Sequence, residues 1–385
     1  MARFELATAG RVVFGPGAVD ELGATAAGLG RRALLVTGRS TERAAPARER
    51  LAAAGLAVAA FSFPHEPSVD DVRRGTEAGR AAGADVVVAC GGGSAIDGGK
   101  AVAALLGNGG DPLDYLEVVG RGRPLEKPSV PFVAVPTTAG TGSEVTRNAV
   151  LGSPEHGVKA SLRSPRMLPA AAIVDPDLLR GLPPSTIAAS GLDAFSQLVE
   201  PYVSVRANPL VDALCREGLA RSARSLRRAF EGDASEAARS DLALASLLGG
   251  LALANAGLGA VHGFAAPAGG LFAAPHGAVC AALLPAVMRV NLRALASRAP
   301  ASPALDRYRE IAAIVTGRPG ASAEDGVAWV EALVRALAVP GLGRWGATPL
   351  DVPRLVERAA RASSMKGNPI VLTGAELEEI ASSSL

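Results

Sequence analysis

Aromatic residues are scarce in this chain of 385 residues, at 4% of the total, and alanine fills the stretches that look like a core. Cysteine is also rare, since only Cys90, Cys215 and Cys280 occur and they lie far apart. An odd number of widely spaced cysteines argues against a disulfide framework and against a CxxC metal site. All three stand in apolar runs, so we expect buried and unreactive thiols.

Long apolar runs and an excess of one charge are missing as well. No uninterrupted apolar stretch reaches the roughly 18 residues needed to span a bilayer, and the N-terminus lacks the apolar segment of a signal peptide. The net charge is only +2 and the basic residues are scattered, which argues against nucleic acid or a membrane as a partner. The composition is typical of a soluble globular protein, and we expect a cytoplasmic location.

The length predicts two domains, and the first half alternates strand-like with helix-like stretches. The strand-like stretches are short and apolar throughout, and they cover 31–37, 56–63, 84–90, 131–136 and 170–175. Helical stretches lie between them at 41–54, 69–83 and 95–106. Apolar runs of this kind predict strands buried on both faces. Their alternation with helices predicts a doubly wound, mostly parallel α/β sheet.

Two further features complete the predicted architecture. The segment 144–164 interrupts the alternation and predicts a β-hairpin, with an exposed His156 at its tip. After LPPS at 182–185 the strand signals stop, and alanine and leucine recur at helical spacing. We therefore predict an α/β domain over 1–182 and an all-α domain of eight or nine helices over 183–385. Ser185 is expected to cap the first of these helices.

Two polar, glycine-rich loops follow neighbouring predicted strands. GGGSAIDGGKAVA at 91–103 follows directly on the strand that ends at Cys90 and leads into a helix. Glycines at such a turn let backbone N–H groups approach a phosphate, and the helix dipole favours the negative charge. PTTAGTGSEVTRN at 136–148 offers hydroxyls to a ribose or phosphate. A tight turn without a ligand is the alternative, but the position at the carboxyl edge of the sheet favours a nucleotide.

The second half carries a candidate metal site. Asp193 and Gln197 are four residues apart, so on a helix both point from one face. His262 and His276 follow within an apolar, glycine-rich stretch, and the chain has only four histidines. A carboxylate with two imidazoles is a donor set that suits a divalent metal.

These motifs in their order resemble the iron-containing (group III) alcohol dehydrogenases over nearly the whole chain. The matching segments are GGGSAID with Lys100, PTTAGTGSEVT, DPDLLRGLPPS, GLDAF, VHG, and PHG followed by ALLP. The resemblance implies a dehydroquinate synthase-like architecture, with the active site in a cleft between a nucleotide-binding domain and a helical domain. It also implies NAD or NADP, Fe²⁺ or Zn²⁺, a small alcohol, aldehyde or ketone as substrate, and a homodimer or larger assembly.

The resemblance also implies roles for individual residues in the nucleotide-binding domain. The pyrophosphate loop would comprise Gly92, Gly93 and Ser94, with Asp97 near the nicotinamide, Thr137, Thr138 and Thr141 on the adenosine side, and Lys159 at the nicotinamide ribose. A solvated surface lysine is the alternative for Lys159.

The end of the first predicted strand bears on the choice between NAD and NADP. Relatives that use NAD often have an aspartate where Gly38 stands, and here Arg39 and Ser40 follow. A 2′-phosphate would meet no repulsion there and would gain a cationic partner, so NADP is favoured over NAD. An Arg39 that simply faces solvent is the alternative.

The candidate metal site departs from the family at two positions. The family's ligands are an aspartate, a histidine four residues later, and two histidines fourteen apart. Asp193, His262 and His276 fit, whereas Gln197 occupies the fourth position and Ala266 replaces a further histidine. A neutral amide oxygen is a weak ligand, so we expect a lower metal affinity.

Three interpretations of this site follow. A metal is bound by Asp193, His262 and His276, with or without Gln197. No metal is bound, and one of the histidines donates the proton to the substrate carbonyl. The protein binds a nucleotide without turnover. The apolar residues Phe264, Leu271 and Phe272 predict a small apolar pocket. A loop with Met365, Lys366 and Asn368 is expected either to cover the cleft or to be a plain surface loop.

Overall fold

A computed structural model describes residues 3–385 of the chain as two compact units. One comprises Ala7–Gly181, and the other comprises Leu182–Leu385 with residues 3–6. The assignment of a nucleotide to the first unit and of a metal to the second stays a prediction.

The first unit is built on a six-stranded parallel sheet in the order β1-β8-β5-β4-β2-β3. Its strands are β1 (Val12–Phe14), β2 (Arg32–Thr37), β3 (Ala57–Ser62), β4 (Val86–Gly91), β5 (Phe132–Pro136) and β8 (Ala171–Val174). The five strands predicted from apolar runs are confirmed. β1 was not predicted, because it has only three residues and lies at the edge of the sheet.

An antiparallel hairpin and five helices complete the first unit. The hairpin consists of β6 (Asn148–Ser153) and β7 (Val158–Arg163), and the exposed His156 lies at its tip, which confirms that prediction. The helices are α1 (Leu22–Ala27), α2 (Ala45–Ala53), α3 (Val69–Ala81), α4 (Gly93–Asn108) and α5 (Pro112–Tyr115).

Burial differs between the centre and the edge of the sheet. β4, β5 and β8 are buried along their whole length, as expected of strands covered on both faces. The same expectation is wrong for β3, whose residues are exposed or only partly buried. β3 lies at the sheet edge, where β2 is its one partner among the described residues, so fewer side chains cover it.

The order of the strands creates a switch point between β2 and β4. From β2 the chain moves outward to β3, and it then returns to place β4 on the other side of β2. The loops after β2 and β4 therefore leave the sheet edge in opposite directions, and open α/β sheets bind ligands at such a crevice. Residues 38–40 and 91–94 lie in these two loops.

The second unit contains nine α-helices in residues 184–385, all of which the structure describes. They are α6 (Pro184–Val203), α7 (Pro209–Phe230), α8 (Glu236–Ala256), α9 (Ala260–Phe272), α10 (His276–Arg298), α11 (Pro303–Thr316), α12 (Ala323–Ala336), α13 (Val352–Ala360) and α14 (Gly374–Ser383). Their apolar faces share one core of aliphatic and aromatic side chains. The prediction of an all-α second half is confirmed.

The predicted cap of the first of these helices is wrong. α6 begins at Pro184, and within the described residues no side chain caps it. Proline suits the first helical position because its fixed φ is helical and its missing N–H needs no partner. Ser185 therefore lies inside the first turn.

The three cysteines are free and buried, as expected. Burial raises the pKa of Cys90 to about 12 and raises that of Cys215 further. Among the described residues, α8 and α10 are long and apolar enough to cross a membrane by length and composition alone. The apolar windows of these two helices are 61% and 78% buried inside the protein, as in core helices of soluble proteins.

Candidate functional site

The two glycine-rich loops meet at the carboxyl edge of the sheet. The backbone N–H of Thr137 donates to the carbonyl of Gly91 over 2.9 Å. A Cβ on Gly92 would lie 3.1 Å from the hydroxyl of Thr138, and one on Gly93 would lie 2.7 Å from the Thr141 methyl group. Glycine is therefore required for this approach, and the loops after β4 and β5 form one surface.

The loop after β2 adjoins the same surface. A Cβ on Gly91 would lie 3.2 Å from the backbone nitrogen of Gly38. Arg39 and Ser40 are exposed, and the Arg39 Nε donates to the carbonyl of Pro64 over 3.2 Å. No carboxylate pairs with Arg39 among residues 3–385, so its positive charge is available beside the loop.

The α4 helix continues this surface into the interior of the unit. It starts at Gly93, and in the described chain no side chain caps its N-terminus. Ser94, in its first turn, is partly buried. One turn further on, the Asp97 carboxylate accepts hydrogen bonds from the Ser143 hydroxyl and, over 2.9 Å, from the Val150 backbone N–H. Asp97 thus ties α4 to the second loop and to β6.

Lys100 is buried beneath the second loop. Its Nζ donates to the carbonyls of Ser143 (2.9 Å) and Asn148 and to the Thr146 hydroxyl (2.9 Å), and it lies 3.5 Å from the Asp97 carboxylate. Burial raises the pKa of the neighbouring Glu144 to about 7, an effect that the Lys100 charge opposes. The lysine therefore organises the loop from within.

Lys159 on β7 is neither free nor fully solvated. Its Nζ pairs with the Glu66 carboxylate, and its side chain is only 15% exposed. The alternative of a solvated surface lysine is therefore wrong. Its predicted contact with a ribose stays a prediction.

The helical unit gathers the candidate metal ligands from three helices. Asp193 lies on α6, His262 on α9, and His276 at the start of α10. The Asp193 Oδ1 is 3.3 Å from the His262 Nε2 and 3.7 Å from the His276 Nε2. Cys280, one turn after His276, places its Sγ 3.8 and 3.7 Å from the same two nitrogens. All four candidate ligand atoms lie within 4.8 Å of one another.

Glu200 fixes the orientation of His262. It follows Asp193 by two turns on α6 and is buried. One of its oxygens accepts from the Val261 backbone N–H and the other from the His262 Nδ1, both over 2.6 Å. The Nδ1 therefore faces Glu200, and the Nε2 faces Asp193. Carboxylates orient metal-binding histidines in this way.

The negative charges around this cluster favour the protonated, cationic form of both histidines. Burial by itself would lower the pKa of His262, but Cys280, Glu200 and Asp193 raise it well above its usual value. His276 behaves in the same way, with Cys280 and Asp193 raising its pKa. Its side chain is 36% exposed, so the cluster is open to solvent on that side.

Gln197 lies one turn after Asp193 on α6 and is buried, and its role as a ligand stays a prediction. Burial raises the pKa of Asp193, while hydrogen bonds from His262 and Gln197 lower it and, with the charge on His276, outweigh burial. Within residues 3–385 the buried Gln197 Oε1 has no hydrogen-bond partner. Two imidazoles and a buried carboxylate whose ligand atoms lie within 4.8 Å of one another are a donor set that fits a divalent metal.

The side chains near the histidines differ from the prediction. Phe264 belongs to the core of the unit and is fully buried, so its assignment to a substrate pocket is wrong. It follows His262 by two residues and therefore faces the opposite side of α9. Leu271 and Phe272 are partly buried. Ala266 is partly buried one turn after His262.

The segment with Met365 and Asn368 supports α9. A Cβ on Gly263 would lie 2.8 Å from the Met365 methyl group. The buried Asn368 accepts from the Ala260 N–H over 3.2 Å and exchanges two amide hydrogen bonds of 3.1 and 2.8 Å with Asn291. The interpretation as a plain surface loop is therefore wrong for Asn368.

Sequence reasoning missed Glu200 and Cys280, although a local signal exists for each. Glu200 continues the α6 face of Asp193 and Gln197 at positions i, i+4 and i+7. Cys280 follows His276 by four residues, which is the spacing of neighbours on one helix face.

Comparisons with known proteins agree over nearly the whole chain. Residues 9–176 match the model of the family "Iron-containing alcohol dehydrogenase", and residues 187–385 match that of its C-terminal domain. The chain is similar to a 1,3-propanediol dehydrogenase of Klebsiella pneumoniae, with 36% identity over 92% of both chains.

Two solved structures show the same fold. A 1,3-propanediol oxidoreductase superposes with a TM-score of 0.92 and 34% identity, covering all of both chains. A sulfoacetaldehyde reductase of Bifidobacterium kashiwanohense, solved in complex with NAD⁺, superposes with a TM-score of 0.87 and 28% identity, covering 100% of this chain and 99% of the reductase. Because the two family models together match residues 9–176 and 187–385, the chain belongs to the iron-containing alcohol dehydrogenase family.

Proposed function

We propose that this family member interconverts a small alcohol with its aldehyde or ketone, using NAD(P) and a divalent metal held by Asp193, His262 and His276. The observation that carries the proposal is the convergence of both imidazole Nε2 atoms on one oxygen of Asp193, at 3.3 and 3.7 Å. A buried carboxylate between two imidazoles has this arrangement when the three serve as ligands.

Each residue of the site has a task in this reaction. The metal, when bound, supplies Lewis-acid polarisation of the substrate oxygen. Asp193 supplies the negative charge that holds the cation, and Glu200 binds the His262 Nδ1 and so turns the Nε2 toward Asp193. His276 borders solvent, so the substrate has access from its side. Ala266 offers no group for proton transfer.

The nucleotide is assigned to the surface formed by the three loops of the first unit. Gly92, Gly93 and Ser94 would bind the pyrophosphate at the start of α4, and Thr137, Thr138 and Thr141 would line the adenosine side. The sulfoacetaldehyde reductase was solved with NAD⁺. For this chain we propose a preference for NADP, because Gly38 and the exposed Arg39 leave room and positive charge for a 2′-phosphate.

Metal analysis and a substrate panel test the proposed function together. Protein purified without chelator is expected to hold about one metal per chain, and His276→Ala is expected to lose it. A panel of small aldehydes with NADPH or NADH is expected to show cofactor oxidation. Tight nucleotide binding without turnover on any substrate would contradict the proposal. The comparisons give no support to a nucleotide-binding protein without turnover.

Changing Gly38 to aspartate is expected to reverse the cofactor preference. A Cβ at Gly38 meets nothing within 4 Å in the described part of the chain, so the new side chain fits. Its carboxylate would repel a 2′-phosphate and accept hydrogen bonds from a ribose. Bonds to charged groups contribute about 1.5–3 kcal/mol, so the ratio of kcat/KM for NADPH over NADH should fall by about 10–100-fold.

Gly38→Ala is the control for this experiment, because it adds the Cβ without the charge. The ratio should change little in this variant. An unchanged ratio in Gly38→Asp, or a wild-type enzyme that prefers NADH, would contradict the assignment of this loop to the 2′-phosphate.

Changing Glu200 to glutamine is expected to weaken metal binding by about 10–100-fold, as for other outer partners of metal-binding histidines. Glutamine offers one acceptor where both Val261 and His262 need one. Competition with a chromogenic chelator measures the affinity. Glu378→Gln on α14, at an exposed position, is the control, and equal affinities in the two variants would contradict this role.

The assembly and location also remain proposals. We propose a homodimer in the cytoplasm, by analogy with the family. Light scattering coupled to size-exclusion chromatography measures the mass of the assembly.

A further inference from the structure

Cys280 stands apart from the other two cysteines because of its neighbours. Its sulfur is fully buried on α10, one turn after His276, and faces two imidazoles rather than apolar side chains alone. The Sγ is almost equidistant from the Nε2 atoms of His262 and His276, at 3.8 and 3.7 Å. The same nitrogens converge on Asp193, so sulfur and carboxylate enclose one small space with them.

Four of the six distances among these ligand atoms are close to those between ligands of one metal ion, and the other two are no longer than 4.8 Å. Tetrahedral zinc with bonds of about 2.0–2.1 Å to nitrogen or oxygen and 2.3 Å to sulfur places its N and O ligands about 3.3 Å apart. An N and an S ligand are then about 3.6 Å apart. The two imidazole Nε2 atoms lie 3.3 and 3.7 Å from the Asp193 Oδ1. They lie 3.8 and 3.7 Å from the Cys280 Sγ.

Gln197 does not compete for the same position. Its amide group lowers the pKa of the neighbouring Asp193 carboxyl, and its Oε1 lies 3.7 Å from where a Cβ on Gly249 of α8 would stand. The orphaned oxygen is thus directed at α8, while the side chain supports Asp193. A neutral amide oxygen is also a much weaker ligand for such a metal than a thiolate.

We propose that Cys280 is a metal ligand, and that Asp193, His262, His276 and Cys280 are the protein ligands of a site that binds Zn²⁺ in preference to Fe²⁺ and can take up the substrate oxygen as a fifth ligand. The Cys280 thiolate supplies the fourth protein ligand, since the neutral amide oxygen of Gln197 is only a weak ligand. This inference rests on the proposed function insofar as that function places a metal here.

The choice of Zn²⁺ follows from the sulfur. Thiolates are soft ligands that select zinc over harder ions, and nitrogen, oxygen and sulfur sites in general bind Zn²⁺ more tightly than Fe²⁺. Two imidazoles, one carboxylate and one thiolate make a donor set well suited to tetrahedral zinc. The Glu200 carboxylate behind His262 adds the outer support that such sites have.

Cobalt substitution tests the sulfur ligand directly, without any assay of activity. Metal-free full-length protein is titrated with Co²⁺, whose bond to a thiolate gives a charge-transfer band in the near ultraviolet. The wild type is expected to show this band together with visible d–d bands. Cys280→Ala should lose the charge-transfer band, and its affinity for Zn²⁺ should fall by more than the roughly 10–100-fold typical of outer partners.

Cys215→Ala is the matched control, because Cys215 is also fully buried on a helix. It should keep the band and the zinc affinity of the wild type. Circular dichroism verifies that both variants fold. Even if Cys280→Ala does not fold, the cobalt spectrum of the wild type shows whether a thiolate is bound to the metal.

Each contrary outcome identifies which statement fails. Visible cobalt bands without a thiolate band would overturn the role of Cys280 and leave the metal of the proposed function in place. An absence of cobalt and zinc binding would overturn both. Preferential retention of Fe²⁺ over Zn²⁺ in competition would overturn the stated selectivity.

Discussion

Replacing Lys100 with methionine is expected to destabilise the first unit by about 3–5 kcal/mol, the cost of removing one partner of a buried ion pair. The ammonium group donates to Ser143, Thr146 and Asn148 and lies near Asp97. Methionine has a similar length but no donor, so the buried acceptors would lose their partner while the packing volume is largely kept. The loop that carries the threonines should loosen as a result.

Hydrogen exchange followed by mass spectrometry measures this loss where it occurs. Peptides from α4, β6 and β7 should exchange faster in Lys100→Met, whereas peptides from α11 and α12 in the other unit should not change. Lys127→Met, at an exposed position, is the control and should stay within about 0.5 kcal/mol of the wild type. Equal protection in the two variants would contradict the structural role of Lys100.

The same variant should acquire a characteristic pH dependence. Burial already raises the pKa of Glu144 from 4.5 to about 7, and the charge of Lys100 opposes that rise. Without the charge the pKa should rise further. A carboxyl group with a raised pKa in the folded state costs stability once the unfolded chain releases its proton, so stability falls as pH rises from about 4.5 to above 7. In Lys100→Met the fall should be larger than in the wild type and should extend to higher pH.

Replacing Gly277 with alanine is expected to displace His276 and to abolish tight metal binding. A Cβ at Gly277 would lie 2.3 Å from the Ala189 carbonyl oxygen and 2.8 Å from its carbon. These are backbone atoms of α6, so α6 and α10 must move apart. Overpacking of this kind costs about 1–3 kcal/mol or more. The neighbouring His276 would then leave its place 3.7 Å from Asp193.

Metal content and thermal unfolding measure the two parts of this effect. Gly374→Ala is the control, since its Cβ meets nothing within 4 Å among the described residues and Gly374 also lies at the start of a helix. We expect Gly374→Ala to match the wild type in metal content and melting temperature. A Gly277→Ala protein with full metal content would show that the approach of the two helices is not required.

The features that the sequence predicts well are local. The loop at 91–103, the hairpin and the helical second half each follow from short-range periodicity and turn chemistry. The exposure of β3 does not follow from such local signals, because the order of the strands decides which apolar run lies at the edge of the sheet. The same holds for Glu200 and Cys280, since their roles arise only where α6, α9 and α10 meet. Phe264 shows the converse error, in which proximity in sequence to a histidine was mistaken for proximity to the site.

The paired amides of Asn291 and Asn368 restrict which substitutions these two positions can tolerate. Each amide donates one hydrogen bond to the other and accepts one from it. Asn368 also accepts a hydrogen bond from the backbone N–H of Ala260, the first residue of α9. A change at one position alone leaves buried amide groups unpaired, which costs about 1–3 kcal/mol for each unmet group. Positions 291 and 368, distant in sequence, should therefore vary together among relatives, as a covarying pair that links the C-terminal segment to the helix bearing His262.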